Sequence, residues 1–327
     1  MLDFTRGSRG KDKSSRTLLL PLLKEFSGIV KVHLYHTPDL RGFLQKILPE
    51  KYNETIGLNH IKMYLFDDSF IISGANLSDS YFTNRQDRYI LFDNCKEVAD
   101  FFTDMIKTVS SFSFTLDSNN EVNISDTSSI HPYKDKSCVG SENKTQQREI
   151  NLNHCDNHSE DFEDSRGDID TWIYPLIQMG PFDISDDEVI TKQIFELTDK
   201  NDKIYLASGY FNLTNDYMDT IVKKSTAEYD VLLASPEVNG FFGARFPLGM
   251  IPTSYIYIAE EFFKEVNDFN QQHRIILREY FRDHWTFHAK GIWYYLPGDR
   301  LPEHQRIYER SETVTDETFK REDRHIP

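Results

Sequence analysis

On either side of the polar stretch Ser113–Asp170, the chain runs through the same order of patterns: a helix, an alternating strand, a polar loop, a further helix, and an apolar strand headed by His-x-Lys. Recurrence of that order argues for a duplicated α/β unit whose two copies face each other. In the first half the periodicities predict a helix over Leu18–Phe26, a strand over Ile29–Tyr35, a helix over Phe43–Leu48, a strand over His60–Phe66, a turn at Asp67-Asp68-Ser69, a return over Phe70–Ser73 and a helix over Lys96–Val109. The second half resumes at Thr171–Ile177. It predicts helices around Glu188–Leu197, Asn215–Lys223 and Pro252–Phe269, and strands over Lys203–Ser208, Tyr229–Ala234, Arg274–Glu279 and Phe287–Leu296. The second copy opens at Ile204–Tyr210, and the first shows no counterpart, so the chain reads as clipped at its start. Ser113–Asp170, rich in Ser, Asn and Asp, reads as a mobile connection.

The two motifs are His60-Ile61-Lys62, ending at Asp67, and His288-Ala289-Lys290, running into Gly291–Leu296. Two imidazoles, each beside an ammonium, suit phosphodiester exchange: one attacks phosphorus and the other manages the leaving group's proton. A lone His-x-Lys is more often an ordinary surface or core histidine. The extended string His60-x-Lys62-x4-Asp67 followed by Ser73-Gly74-Ala75-Asn76 is far more specific. On a strand His60 and Lys62 share a face, whereas Asp67, at an odd offset, turns away; it is expected to anchor the turn. Asp87, in Asn84-Arg85-Gln86-Asp87-Arg88, is then the candidate carboxylate to orient His60, and Asn76 can donate its amide to a phosphoryl oxygen.

Composition narrows the alternatives. A formal charge of -16 disfavours a protein that hugs a nucleic-acid backbone, though not a local basic pocket. Cys95, Cys138 and Cys155 suggest neither a disulfide framework nor a zinc quartet. His154-Cys155 with His158 lies in the polar connection and reads as solvated loop, so no metal is expected. No stretch reaches a membrane span, and any membrane contact is expected to be peripheral. Met1–Arg16 is basic without amphipathic period and reads as a loop leading into a helix; Gly7 to Gly10 lacks phosphate-loop spacing.

At these residues the chain resembles the phospholipase D superfamily, and within it the mitochondrial-type phosphatidylglycerophosphate synthase family. The likeness rests on His60–Asp67, Ser73–Tyr89, Thr171–Gln178, Gly209–Thr214, Ala234–Gly243 and Trp285–Gly291, and covers nearly all of Leu2–Pro297 outside the polar connection. The resemblance implies an α/β fold of duplicated phospholipase D-like lobes, a pseudo-dimer incomplete at both termini. Residues 1–112 would be the first lobe, with its phosphodiesterase motif at 54–80; 113–170 would be the connection, 171–302 a truncated second lobe and 303–327 a divergent charged tail. It implies transfer of the phosphatidyl group of CDP-diacylglycerol to the sn-1 hydroxyl of glycerol 3-phosphate, releasing CMP, on the route to phosphatidylglycerol and cardiolipin. His60 would form a phosphatidyl-histidine; His288 would protonate departing CMP and then deprotonate the acceptor. Lys62, Lys290 and Asn76 would stabilise charge on the transferring group. No cofactor is implied, and the location would be mitochondrial, peripheral at the inner membrane. A water-using phosphodiesterase and a catalytically inactive fragment remain as alternatives.

The chain departs from the family pattern in two places. Tyr295 stands where an aspartate would close the second motif, and Glu303–Pro327 replaces the expected Ser-Pro-Asn turn with a charged tail lacking asparagine and glycine. Phe241, Phe242, Phe246, Leu248 and Met250 flank glycines in a loop that reads equally as core or as a lipid-inserting surface. Tyr210–Thr214 reads as site lining or as a strand-to-helix connection capped by Asn212 or Thr214.

Overall fold

The computed structural model describes residues 1–10, 12–40, 57–124, 172–246, 248–298 and 312–313. Its strands are β1 (Leu2–Asp3), β2 (Val32–Tyr35), β3 (Met63–Phe66), β4 (Ser69–Ser73), β5 (Arg85–Gln86), β6 (Tyr89–Phe92), β7 (Phe114–Leu116), β8 (Val122–Ile124), β9 (Gln178–Met179), β10 (Ile184–Ser185), β11 (Lys203–Ser208), β12 (Glu228–Ala234), β13 (Ile275–Tyr280), β14 (Thr286–Phe287), β15 (Lys290–Tyr295) and β16 (Glu312–Thr313). The chain divides into two compact units, Met1–Ile71 with Leu91–Asp186, and Ile72–Ile90 with Asp187–Pro327. This division interleaves where the sequence suggested a single cut near residue 112: the segment carrying Asn76 and Asp87 packs with the second half. The expected helix at Phe43–Leu48, the greater part of the polar connection and His154, Cys155 and His158 lie outside the described residues.

The second unit is built around a sheet of order β15-β11-β12-β13-β16. Strands β11, β12 and β13 run parallel, while β15 and β16 run antiparallel at the two edges. Parallel neighbours need crossover connections, supplied here by the short helix Asn215–Asp219 with its π-turn and by the helix Ile251–Asp268. Both faces of the sheet are covered, so β12 is apolar on each. Tyr229, Val231 and Leu233 join Phe195, Phe262 and Val266 on one side, and Leu232 meets Ala207, Val238, Tyr280 and Phe287 on the other.

The first unit holds a sheet of order β1-β2-β7-β8, with β1 parallel to β2. Leu23, Val32, Leu34, Phe114 and Leu116 form its core. Phe101, Met105 and Ile177 form a further cluster beneath the helix Lys96–Ser111, and Tyr35, Val109, Phe112 and Phe182 another.

Several expectations from periodicity are corrected. The Leu18–Phe26 pattern resolves into two short helices, Ser15–Leu18 and Leu20–Glu25, the first closed by a Ser14–Thr17 capping box and the second entered through Pro21. Met1–Arg16 is not a bare loop: Leu2–Asp3 is a strand and Phe4–Ser8 a helix capped by Asp3. Two strands, β7 and β8, occupy the start of the polar connection, where Phe114 and Leu116 are buried despite their polar surroundings. The tail after Pro302 contributes at least Glu312–Thr313 to the sheet edge.

Candidate functional site

The second His-x-Lys lies where a parallel sheet presents ligands, at the carboxyl ends of its strands. Lys290 opens β15 opposite Ser208, the last residue of β11. Just beyond, Gly209 donates its N–H to the Ala289 carbonyl at 3.2 Å. A Cβ on Gly209 would fall 2.7 Å from the Phe287 carbonyl oxygen and 2.8 Å from the His288 Cα, so only glycine lets the two backbones meet.

A second backbone contact brings the carboxylate. Strand β14 pairs in parallel with β5, placing Thr286 beside Arg85 and Phe287 beside Gln86, and the His288 N–H donates to the Gln86 carbonyl at 2.8 Å. The next residues in register are His288 and Asp87, and His288 Nδ1 lies 2.7 Å from Asp87 Oδ2. Asp87 Oδ1 accepts the Arg88 N–H at 2.8 Å. The Asp87 side chain is wholly enclosed and that of His288 is 5% exposed. Gly74 packs against this carboxylate, a Cβ there meeting Oδ1 at 2.8 Å. Asp87 therefore belongs to His288, not to His60 as the sequence spacing suggested, because the backbone pairing of β5 with β14 fixes its neighbour.

With Nδ1–H donating to Asp87, the lone pair of neutral His288 is on Nε2. Lys290 Nζ lies 2.9 Å from Nδ1 and 3.2 Å from Nε2, and donates to the His288 carbonyl at 2.7 Å. Since Nδ1 carries the proton shared with Asp87, the carbonyl and Nε2 are the acceptors open to that ammonium. Tyr81 and Tyr210 stand edge-on to the imidazole, at 5.2 Å and 5.4 Å between ring centroids. Burial lowers the His288 pKa against the opposing pull of the Asp87 hydrogen bond, which favours the neutral ring. Burial also lowers Lys290, to about 8, with Asp87 again opposing and Arg85 adding to the fall.

Asn76 donates Nδ2–H to the Tyr81 hydroxyl at 2.9 Å, and Arg85 Nη1 donates to the same oxygen at 3.4 Å. Those two bonds take both lone pairs, leaving the tyrosine proton as a donor, and the hydroxyl lies 3.5 Å from His288 Nε2. Tyr81 and Arg85 were not singled out as site residues from sequence, whereas Tyr210 was read within Tyr210–Thr214 as site lining or as a strand-to-helix connection. Arg85 carried a signal: two positions from Asp87 on a strand, it points to the same side. For Tyr81 no such local signal exists. Thr214 does sit at the helix N-cap, without a side-chain capping bond.

The first motif belongs to the other unit. His60 and Lys62 precede β3 instead of lying on it, so the strand argument for their shared face does not apply; Lys62 Nζ donates to the His60 carbonyl at 2.5 Å, and His60 is exposed. Asp67 sits at the β3–β4 turn with φ of 52°, a left-handed conformation that aspartate tolerates. It is exposed. Tyr295, in place of the second aspartate, packs edge-on against Tyr205 at 5.8 Å. The loop after Pro236 leaves Phe242, Phe246 and Met250 exposed.

No family model matches the chain. Its fold is that of phosphatidylserine synthase from Haemophilus influenzae Rd KW20, a phospholipase D-like fold: the TM-score is 0.60 at 16% identity, over 95% of this chain and 73% of that one. A buried, carboxylate-oriented histidine beside a lysine has the parts for general acid–base chemistry. Sequence relatives narrow the class. The chain is 50% identical over 321 residues to the human mitochondrial CDP-diacylglycerol--glycerol-3-phosphate 3-phosphatidyltransferase, covering 92% of this chain and 57% of the human one. It is 40% identical to the probable enzyme of the same name from Dictyostelium discoideum, over 92% of this chain and 54% of that protein. For the Saccharomyces cerevisiae enzyme the figures are 31%, 90% and 59%. The chain is thus a relative of the phosphatidyltransferases of this type, and it spans a little over half their length.

Proposed function

We propose that the chain transfers the phosphatidyl group of CDP-diacylglycerol to glycerol 3-phosphate, forming phosphatidylglycerophosphate and CMP. The observation that carries this reading is the Asp87–His288–Lys290 arrangement, present in a chain half identical to a named phosphatidyltransferase. The Nδ1–Asp87 bond orients His288 and stabilises its imidazolium, so the protonated ring is the acid to departing CMP and the neutral ring left behind is the base to the acceptor hydroxyl. Lys290 sets positive charge beside the reacting phosphorus. The other histidine of the reaction is assigned to His60, with Lys62, on the sequence pattern alone. In the first step its nitrogen forms the bond to phosphorus as the bond to CMP breaks. In the second step the acceptor oxygen displaces it, its proton passing to His288.

The lipid substrate requires access to a bilayer surface, and the exposed Phe242, Phe246 and Met250 supply an apolar patch for peripheral contact. Among the described residues no helix is long and apolar enough to cross a membrane. Its relatives' names place the reaction in mitochondria, and the acidic charge of -16 argues against nucleic acid as the partner. The test is CMP release from CDP-diacylglycerol in mixed micelles with and without glycerol 3-phosphate. Acceptor-dependent release supports the transferase, equal release without acceptor indicates a hydrolase, and no release leaves the 327-residue chain an inactive portion of such an enzyme.

A further inference from the structure

The site holds more positive charge than the reacting phosphorus needs. Lys290 and Arg85 act on His288 together with the Asp87 carboxylate, and Arg88 adjoins Asp87, inside a chain whose formal charge is -16. Arg88 is accounted for: its guanidinium lies 5.0 Å over the Trp293 ring and packs against Gly291. Arg85 is not. Among the described residues no carboxylate forms an ion pair with it; it rests 4.5 Å over the Tyr81 ring, reaches the Tyr81 hydroxyl through Nη1, and keeps a buried Nε–H with no hydrogen-bond partner. A buried cationic donor left unmade is costly unless a ligand completes it.

We propose that Arg85, with the hydroxyls of Tyr81 and Tyr210, binds the non-reacting phosphate monoester of the acceptor and so selects glycerol 3-phosphate over unphosphorylated alcohols. This rests on the reading given under Proposed function. A phosphate monoester carries up to two negative charges on oxygens spaced to match the guanidinium fork, whereas the transferring phosphodiester carries one and already meets Lys290. Position agrees with this division. The acceptor's phosphate is separated from its attacking hydroxyl by a three-carbon backbone, and Arg85 stands one side chain removed from His288 Nε2, through the Tyr81 hydroxyl at 3.5 Å. The Tyr81 proton, its oxygen lone pairs being occupied, is available to a phosphate oxygen. Gly240 closes the subsite: a Cβ there would lie 2.7 Å from the Tyr210 hydroxyl and 3.1 Å from Arg85 Nη1.

Equilibrium binding of sn-glycerol 3-phosphate, glycerol and CDP to the full 327-residue chain tests this, with wild type, Arg85→Gln, Arg85→Lys and Gly240→Ala compared by calorimetry. Arg85→Gln should weaken glycerol 3-phosphate about 10- to 100-fold, the range for a charge-assisted hydrogen bond, while leaving CDP within about twofold. Arg85→Lys should fall between, keeping the charge but not the fork, and Gly240→Ala should weaken the same ligand with no change of charge. Loss of CDP binding with glycerol 3-phosphate retained would assign Arg85 to the donor and overturn the proposal, as would equal loss of both or no binding of glycerol 3-phosphate by wild type. Acceptor-dependent CMP release by wild type reports separately on the transferase reading, so failure of one is distinguishable from failure of the other.

Discussion

Asp87→Asn is the substitution whose consequence the geometry fixes most narrowly. The side chains are isosteric, and the asparagine oxygen can still accept the Arg88 N–H that Asp87 Oδ1 now takes at 2.8 Å. What changes is the partner at His288 Nδ1, 2.7 Å away. With the amide nitrogen turned toward it, the imidazole must accept there, and the proton moves to Nε2, where the lone pair is needed. The Ser-His-Asp triad shows the same error, with a loss of about 10⁴. The pKa moves as well. Of the influences on His288, burial, Lys290 and Arg85 lower it, and only Asp87 raises it. A hydrogen bond to a charged group contributes about 1.5–3 kcal/mol, so removing the carboxylate should lower the His288 pKa further.

The measurement is an NMR titration of the His288 ring carbons in chain labelled at histidine, which does not depend on turnover. It is read beside CMP release at neutral pH, expected to fall by about 10² to 10⁴. A near-native melting temperature would show that the fold survives. A His288 pKa that is unchanged or higher in Asp87→Asn would refute the reasoning, and so would full activity in Asp87→Asn alongside an inactive His288→Gln.

Other perturbations separate packing from chemistry. Gly209→Ala forces a methyl to within 2.7 Å of the Phe287 carbonyl, and overpacking of this kind costs about 1–3 kcal/mol, so the melting temperature should drop by several degrees; an unchanged value would mean the strands part without strain. Lys290→Met replaces an ammonium whose pKa burial has pulled to about 8, and should abolish CMP release while raising stability by about 1 kcal/mol in denaturant titration; lower stability would show that its bond to the His288 carbonyl is structural. Burial lowers the pKa of His33, His36 and His288, so the unfolded chain binds more protons than the folded one as pH falls below about 6.5. Stability present above that pH should be lost toward pH 5, with the raised Asp3 and Asp187 opposing it from the carboxylate range; a denaturation midpoint that holds or rises between pH 7.5 and 5.5 would contradict this.

How much of this was legible in the sequence follows from how far each interaction reaches. Strand β11 was readable to the residue because a parallel strand covered on both faces is an unbroken apolar run, and the helix Ile251–Asp268 because its apolar spacing is local. Strands β7 and β8 were hidden in polar composition. Phe114 and Leu116 are enough to bury one face of a three-residue strand, while Ser113, Asp117 and the asparagines around them set the average. The start of β3 was misplaced for a related reason: His60-Ile61-Lys62 alternates as a strand does, yet pairing begins only at Met63.

The site divides along the same line. His288, Lys290 and Asp87 were each found, because their residue types announce the chemistry, but the pairing of Asp87 was not, because no count along the chain gives a contact across 201 positions. That contact is made by two residues of β5 lying beside two of β14, an alignment too short to carry periodicity. Its constraints are instead the glycines. Gly209 lets the backbone of His288 approach, and Gly74 leaves room for the Asp87 carboxylate. Neither glycine has positive φ, so neither is required by its own conformation; each is required by what lies against it. A glycine of that kind is silent in a sequence read one residue at a time, and it becomes informative only when the side chain it makes room for is known.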